Sequence, residues 1–314
     1  MSVPTGSTPL PPAPEPTKLS FAERYSISPA VFALVALLAI FVSYQVIGGL
    51  LTLWFVGAKV TPENVMLHRF FTMGGQILFI LLPTIVFARL LDHRSSRVFP
   101  WRFPRSGEML FAILSLFFLQ EVLQIYLLFQ DRIPFPEELR KIIDPAKQMI
   151  EEMFRTLVSS KGAPELLFVV LVVSVTPAIV EELLFRGLVQ SCFERLVSPA
   201  RAAFWAGLIF GVFHFNPFAV VPLVALGIFF GMLRYRSQSM ILPMTVHFLN
   251  NALAVMVTYL SAEDSMVAGV EKGGEVNIVM LLAQLVFSLA LFGLTFSWYV
   301  RLTKRPLPGE ESQM

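Results

Sequence analysis

The chain has 314 residues, of which 55% are hydrophobic and only 15% charged, with a mean hydropathy of +0.69. That balance excludes an ordinary soluble enzyme and describes a chain that threads a bilayer several times. A net charge of +2 is too small to hold nucleic acid, and a single cysteine, Cys192, excludes an intrachain disulfide or a cysteine-rich metal site.

Residues 1–28 are rich in Pro, Ser and Thr and read as a disordered tail. The first apolar run is too long for a signal-peptide core, so the first span is expected to direct insertion. Spans are predicted over about 31–56, 70–91 and 109–129, each long enough to cross roughly 30 Å of hydrocarbon. The third carries Gln120, Glu121 and Gln124, a polar cluster suited to packing against other helices. Residues 131–164 break the pattern with Pro134, Pro136 and Pro145. Met149, Ile150, Met153, Phe154 and Leu157 then recur at helical spacing, which predicts a loop followed by an interfacial amphipathic helix. Five more spans are predicted over about 166–190, 202–213, 219–233, 241–260 and 276–300, the fifth and sixth being short.

The fold class is therefore all-α: a polytopic membrane bundle of about eight transmembrane helices with one interfacial helix. Its parts are a tail (1–28), three N-terminal helices (29–130), the interfacial loop and helix (131–164), a core carrying the polar motifs (165–262), an outer loop with the last helix (263–301) and a C-terminal tail (302–314). Arg94, Arg97, Arg102 and Arg105 are opposed in their loop by Asp92, which makes that loop cytoplasmic. Both termini and the loops holding Arg195, Arg201, Arg234 and Arg236 then fall inside, and the acidic loop 263–275 outside.

Charge inside the fourth span needs a reason. Thr176-Pro-Ala-Ile-Val-Glu-Glu-Leu-Leu-Phe-Arg-Gly187 places two carboxylates and a guanidinium in a lipid-compatible run, where each alone costs about 3–10 kcal/mol. Glu182 and Arg186 are four apart in the favourable order for an ion pair, which leaves Glu181, about 100° around the helix, to face something else. Pro177 cannot donate to the carbonyl of Val173 and should kink or loosen the helix ahead of the acids. In the fifth span Phe210-Gly-Val-Phe-His214 ends on a histidine, and in the seventh His247-Phe-Leu-Asn-Asn251 puts a histidine and a carboxamide on one face. A carboxylate beside a histidine can draw a proton from water, while a second imidazole and a carboxamide can stabilise an oxyanion. The same Glu181, His214 and His247 could instead hold zinc with an open position. Two non-hydrolytic readings also fit these residues: a catalytically silent scaffold in which the motifs hold helices together, and a proton-coupled transporter, against which the lack of an internal repeat argues.

The three motifs together resemble those of the CaaX-protease and bacteriocin-processing (Abi) family of intramembrane endopeptidases, over roughly residues 166–259. That family's pattern is Glu-Glu-x-x-x-Arg, Phe-x-x-x-His and His-x-x-x-Asn or Asp on three separate helices. The resemblance implies that Glu181 is a general base with His214 beside it, that His247 and Asn251 stabilise the oxyanion, and that Glu182 and Arg186 support them. It also implies an intramembrane endopeptidase acting on a membrane-associated protein or peptide in the lipid bilayer; eukaryotic members trim prenylated CaaX proteins. Asn251 suits an oxyanion donor better than a zinc ligand, so a glutamate-activated water without obligatory metal is the preferred expectation. Because His247 lies roughly 10 Å below the cytoplasmic end of its span, the cavity is expected to open toward the cytoplasm.

Overall fold

A computed structural model describes residues 19–264 and 277–303. The expected loop 263–275 lies mostly outside them, as do residues 1–18 and 304–314 of the two tails. Every regular element among the described residues is a helix. A single turn, α1 (Phe21–Arg24), precedes α2 (Pro29–Phe55), α3 (Val65–Leu91), α4 (Ser106–Gln130) and α5 (Glu137–Val158). Then come α6 (Ala163–Glu194), α7 (Pro199–Phe213), α8 (Val220–Ser237), α9 (Ile241–Asp264) and α10 (Ile278–Leu302). Seven of these are long and apolar enough to cross a membrane, while α7, with 15 residues, is the short apolar eighth. The chain is an all-α, multi-pass membrane protein.

Two expectations are corrected by local structure. Residues 19–28, assigned to a disordered tail, are ordered: Ser20 and Glu23 form a reciprocal capping box, Ala22 is buried, and a His93 ring nitrogen meets the Leu19 carbonyl at 2.6 Å. The interfacial helix begins at Glu137 and runs through Pro145 instead of starting after it. Its proline leaves the Lys141 carbonyl without a helical donor, and Lys141 lies on an exposed stretch where water can serve that carbonyl.

The bundle has two distinguishable ends. At one, the connections α3–α4, α6–α7 and α8–α9 are stitched together by arginines. Arg102 Nε donates to the Ser237 carbonyl at 2.8 Å, Arg195 pairs with Asp92 at 2.9 Å, Arg234 pairs with Glu194, and Arg236 donates to the Val300 carbonyl. At the opposite end lie α5 and the α7–α8 connection. Lys147 pairs with Asp131 at 2.5 Å, and Gln130 donates to the Phe218 carbonyl at 2.8 Å.

Helices α7 and α8 pack through glycine. Gly207 faces Gly227, Gly211 lies against Val224 and Gly231 against Ala203, and a Cβ on Gly207 would stand 2.4 Å from the Ile228 nitrogen. Only backbone-to-backbone packing of this kind fits there, as is common where lipid-soluble helices must adhere without a hydrophobic drive. Helices α2, α3 and α6 each contain wide π-type turns, at Val42–Gly48, Ile77–Leu81, and, in α6, at Leu171–Val175 and Leu183–Val189. The two in α6 bracket the Thr176–Glu182 segment, and such turns commonly mark functional sites.

Candidate active site

The central carboxylates divide as their spacing predicts. Glu182 is fully buried; its Oε1 lies 3.0 Å from the Arg186 guanidinium and 2.9 Å from His247 Nδ1. Arg186 is also fully buried, sandwiched 4.3 Å from the Phe210 ring centroid and 5.3 Å from that of Phe230, and it donates to the Gly227 carbonyl at 3.0 Å. That carbonyl is presented by the glycine contact of α7 and α8, so helix packing and charge burial share one point.

Glu181 faces the other way, into a cavity of about 300 Å³ that His214, His247 and Asn251 also line. Its Oε2 lies 3.7 Å from His214 Nε2 and 4.0 Å from His247 Nε2. Both rings are held from behind: His214 Nδ1 meets the Phe210 carbonyl at 2.7 Å, and His247 Nδ1 meets the Glu182 carboxylate. A carbonyl and a carboxylate both accept, so Nδ1 donates in each ring and both Nε2 atoms point toward Glu181. His247 is 4% exposed and stacks on Phe230 at 4.9 Å, whereas the His214 side chain is 30% exposed.

The loosened turn before the acids has a use. The Val173 carbonyl, to which Pro177 cannot donate, accepts Asn251 Nδ2 at 3.3 Å. Asn251 Oδ1 in turn accepts from Asn250 Nδ2 at 3.0 Å, and Asn250 Oδ1 accepts from Gln120 of α4. Of the polar cluster on α4, then, Gln120 reaches the site through Asn250, while Glu121 accepts from Gln284 of α10 at 3.0 Å.

Sequence reasoning missed three contributors. Arg69, 0% exposed, donates its Nε to the Leu157 carbonyl at 2.9 Å, reaches the Ser159 carbonyl, and pairs with Glu165 at 2.6 Å, fixing the end of α5 over the cavity. Gln76 lines the cavity from α3 and, with Tyr44 of α2, a second cavity of about 300 Å³ that also reaches Glu181 and His214. An isolated glutamine in an apolar run was the available signal for Gln76. Asn250 stood beside a motif residue but off its face.

Phe210, Phe230 and His247 form the floor of the cavity, and its lining climbs through Val173 and Ala254 to Phe154 and Leu157 of α5. Between the floor and the arginine-rich end sits fully buried packing that includes Leu188, Val189, Leu233, Met240 and Leu242. This packing separates the cavity from the arginine-rich loops.

Residues 163–253 match the family model described as Rce1-like, type II CAAX prenyl endopeptidase. The matched segment is less than a third of the chain. It contains all three motifs and spans α6, α7, α8 and the first half of α9. No curated protein and no solved structure matches the chain. The Rce1-like segment thus supplies the floor and the titratable groups of the cavity, while α3 and α5, outside it, supply the rim. Among the described residues no group of three His, Cys, Asp or Glu side chains stands in metal-holding geometry. The 3.7 and 4.0 Å separations exceed the roughly 3.4 Å edge of a tetrahedral site with about 2.0–2.1 Å zinc bonds.

Proposed function

We propose that this protein is an intramembrane endopeptidase in which Glu181 activates water to hydrolyse a peptide bond of a membrane-associated substrate. The observation that carries the reading is a carboxylate oxygen within 4.0 Å of two imidazole nitrogens whose rings are anchored from behind, inside a cavity at membrane depth. Water between Glu181 and His214 loses a proton to the Glu181 carboxylate as its oxygen attacks the carbonyl carbon. The oxyanion that forms faces His247 and the second N–H of Asn251. Glu181 then returns the proton to the leaving nitrogen as the C–N bond breaks. No step needs a metal. Glu182 and Arg186 hold His247 in place, and the Pro177 break gives Asn251 its anchor. By the arginine distribution, both termini are cytoplasmic. The division of the chain into tails, N-terminal helices, interfacial segment and core is part of this reading, with residues 165–262 as the catalytic core.

The test compares the termini of membrane proteins in cells carrying the wild type or Glu181→Gln, which keeps the side chain's shape and removes its basicity. New termini that appear only with Glu181 are expected. Identical sets of termini, with both proteins folded and equally abundant, would instead favour the silent scaffold.

A further inference from the structure

We propose that Gln76 is a substrate-binding residue of the candidate site, its Oε1 accepting an N–H of the peptide backbone next to the bond being cut. The assignment rests on the hydrolase reading and adds to it the group that holds the peptide beside Glu181. Three observations carry it.

The first is an unused acceptor. Gln76 stands in the apolar α3 and is 8% exposed, yet its Oε1 takes no hydrogen bond from any other described residue. A buried amide oxygen left without a partner is costly, and packing alone gives no reason to keep one. Oε2 of Glu181, the proposed base, is likewise buried and without a hydrogen bond from the described residues.

The second is position. Gln76, Glu181 and His214 line both of two cavities of about 300 Å³ each, and so form the wall those cavities share. From this wall the first cavity continues along Val173 and Asn251, and the second along Tyr44 and Phe185. A peptide whose cut bond lies at Glu181 and whose chain continues to either side must pass the wall. Glu181 and His214 are occupied there with the attacking water, which leaves the Gln76 amide for the backbone. A carboxamide carries acceptor and donors in one plane, as a peptide group does, so it grips the main chain whatever the side chains.

The third is the backbone around it. Gln76 immediately precedes the wide turn Ile77–Leu81 of α3, Tyr44 lies within the wide turn Val42–Gly48 of α2, and Glu181 lies between the two wide turns of α6. The turn of α3 packs against that of α2 and against Leu183–Val189 of α6. A Cβ on Gly75 would stand 3.4 Å from Tyr44 Cε2, so the Tyr44 ring lies against α3 next to Gln76. Three helices thus bring their irregular turns together at one wall, and such turns recur at functional sites.

The experiment uses the full-length protein in detergent and a synthetic peptide spanning one Glu181-dependent cleavage site found by the comparison of termini. Gln76→Met keeps the side chain's bulk and removes the acceptor. A matched set of peptides replaces each backbone N–H flanking the cut bond, in turn, by an ester oxygen. Wild type is expected to lose about tenfold in kcat/KM on one of these esters. Gln76→Met should lose about tenfold on the parent peptide and nothing further on that ester, because both changes delete the same hydrogen bond. Its unfolding midpoint should match or exceed that of the wild type, since an orphaned polar atom is gone. Losses that multiply, or wild-type cleavage of the parent peptide by Gln76→Met, overturn the assignment. So does a midpoint that falls together with cleavage of parent and ester alike, or a failure of both Gln76→Met and Gln76→Leu to fold, either of which makes Gln76 structural. Absence of any Glu181-dependent terminus sinks the hydrolase reading and this assignment together, whereas additive losses with cleavage intact sink the assignment alone.

Discussion

Glu182 has no exposure to solvent, and its charge is held by one guanidinium and one imidazole. Removing either charged partner leaves the other buried and uncompensated, so Glu182→Ala and Arg186→Ala are each expected to lower the unfolding free energy by about 3–5 kcal/mol. Glu181→Gln, whose side chain faces the cavity, should keep the wild-type midpoint; denaturant unfolding in detergent distinguishes them. Equal destabilisation by all three changes would count for a purely structural role. A second expectation at this scale concerns metal. Glu181-dependent cleavage should survive dialysis against a chelator, and a loss restored by zinc alone would show that the imidazole and carboxylate edges contract around an ion. These motif residues were legible because polar groups at helical spacing inside apolar runs have few innocent explanations. Arg69 was not, because it sits at the start of a span, where an arginine normally snorkels to the interface. What buries it is a pair of carbonyls 88 and 90 residues away, on a helix whose position no local pattern gives.

At the scale of elements, the contact of α7 with α8 determines where the Gly227 carbonyl meets Arg186. A methyl at position 207 would stand 2.4 Å from the Ile228 nitrogen and 2.6 Å from the Gly227 carbonyl carbon, so backbone must move. Gly207→Ala is expected to cost about 1–3 kcal/mol, in the range of overpacking substitutions, and to lower cleavage further by displacing the Arg186 acceptor. Gly293→Ala, where a Cβ has nothing within 4 Å, should leave both unchanged. Unfolding midpoints of the two variants side by side provide the check. The spans themselves were readable from hydropathy to within a few residues. The glycine pairs were in view, as Gly207-Leu-Ile-Phe-Gly211 and Gly227-Ile-Phe-Phe-Gly231, but their significance depends on two helices being neighbours, which spacing within one helix cannot tell. The wide turns in α6 were only half legible. Pro177 marked the loosening, but the reuse of the Val173 carbonyl by Asn251 is a long-range event.

At the scale of the whole molecule, the apolar helices and the clustering of arginine were legible, and the aromatic floor beneath His247 was not. Depth along a helix is a local quantity, whereas the closed floor is made by aromatic rings from α7 and α8 meeting beneath His247. The shortness of α7 carries a consequence for the membrane around the protein. Its 15 residues rise about 22 Å, against roughly 30 Å of hydrocarbon, and its Phe204, Trp205 and Val212 are exposed on the outer surface. A helix of this length crossing a bilayer is expected to compress the lipid beside it and to draw headgroups and water toward His214 at its end. The protein should behave as a thickness gauge. Reconstituted into phosphatidylcholines of increasing acyl length, Glu181-dependent cleavage should be fastest in the thinnest bilayers and fall as the chains lengthen, because a thick bilayer buries the mouth of the cavity in oil. Equal rates across the series would mean that neighbouring helices, not lipid, fill the space beyond Phe213.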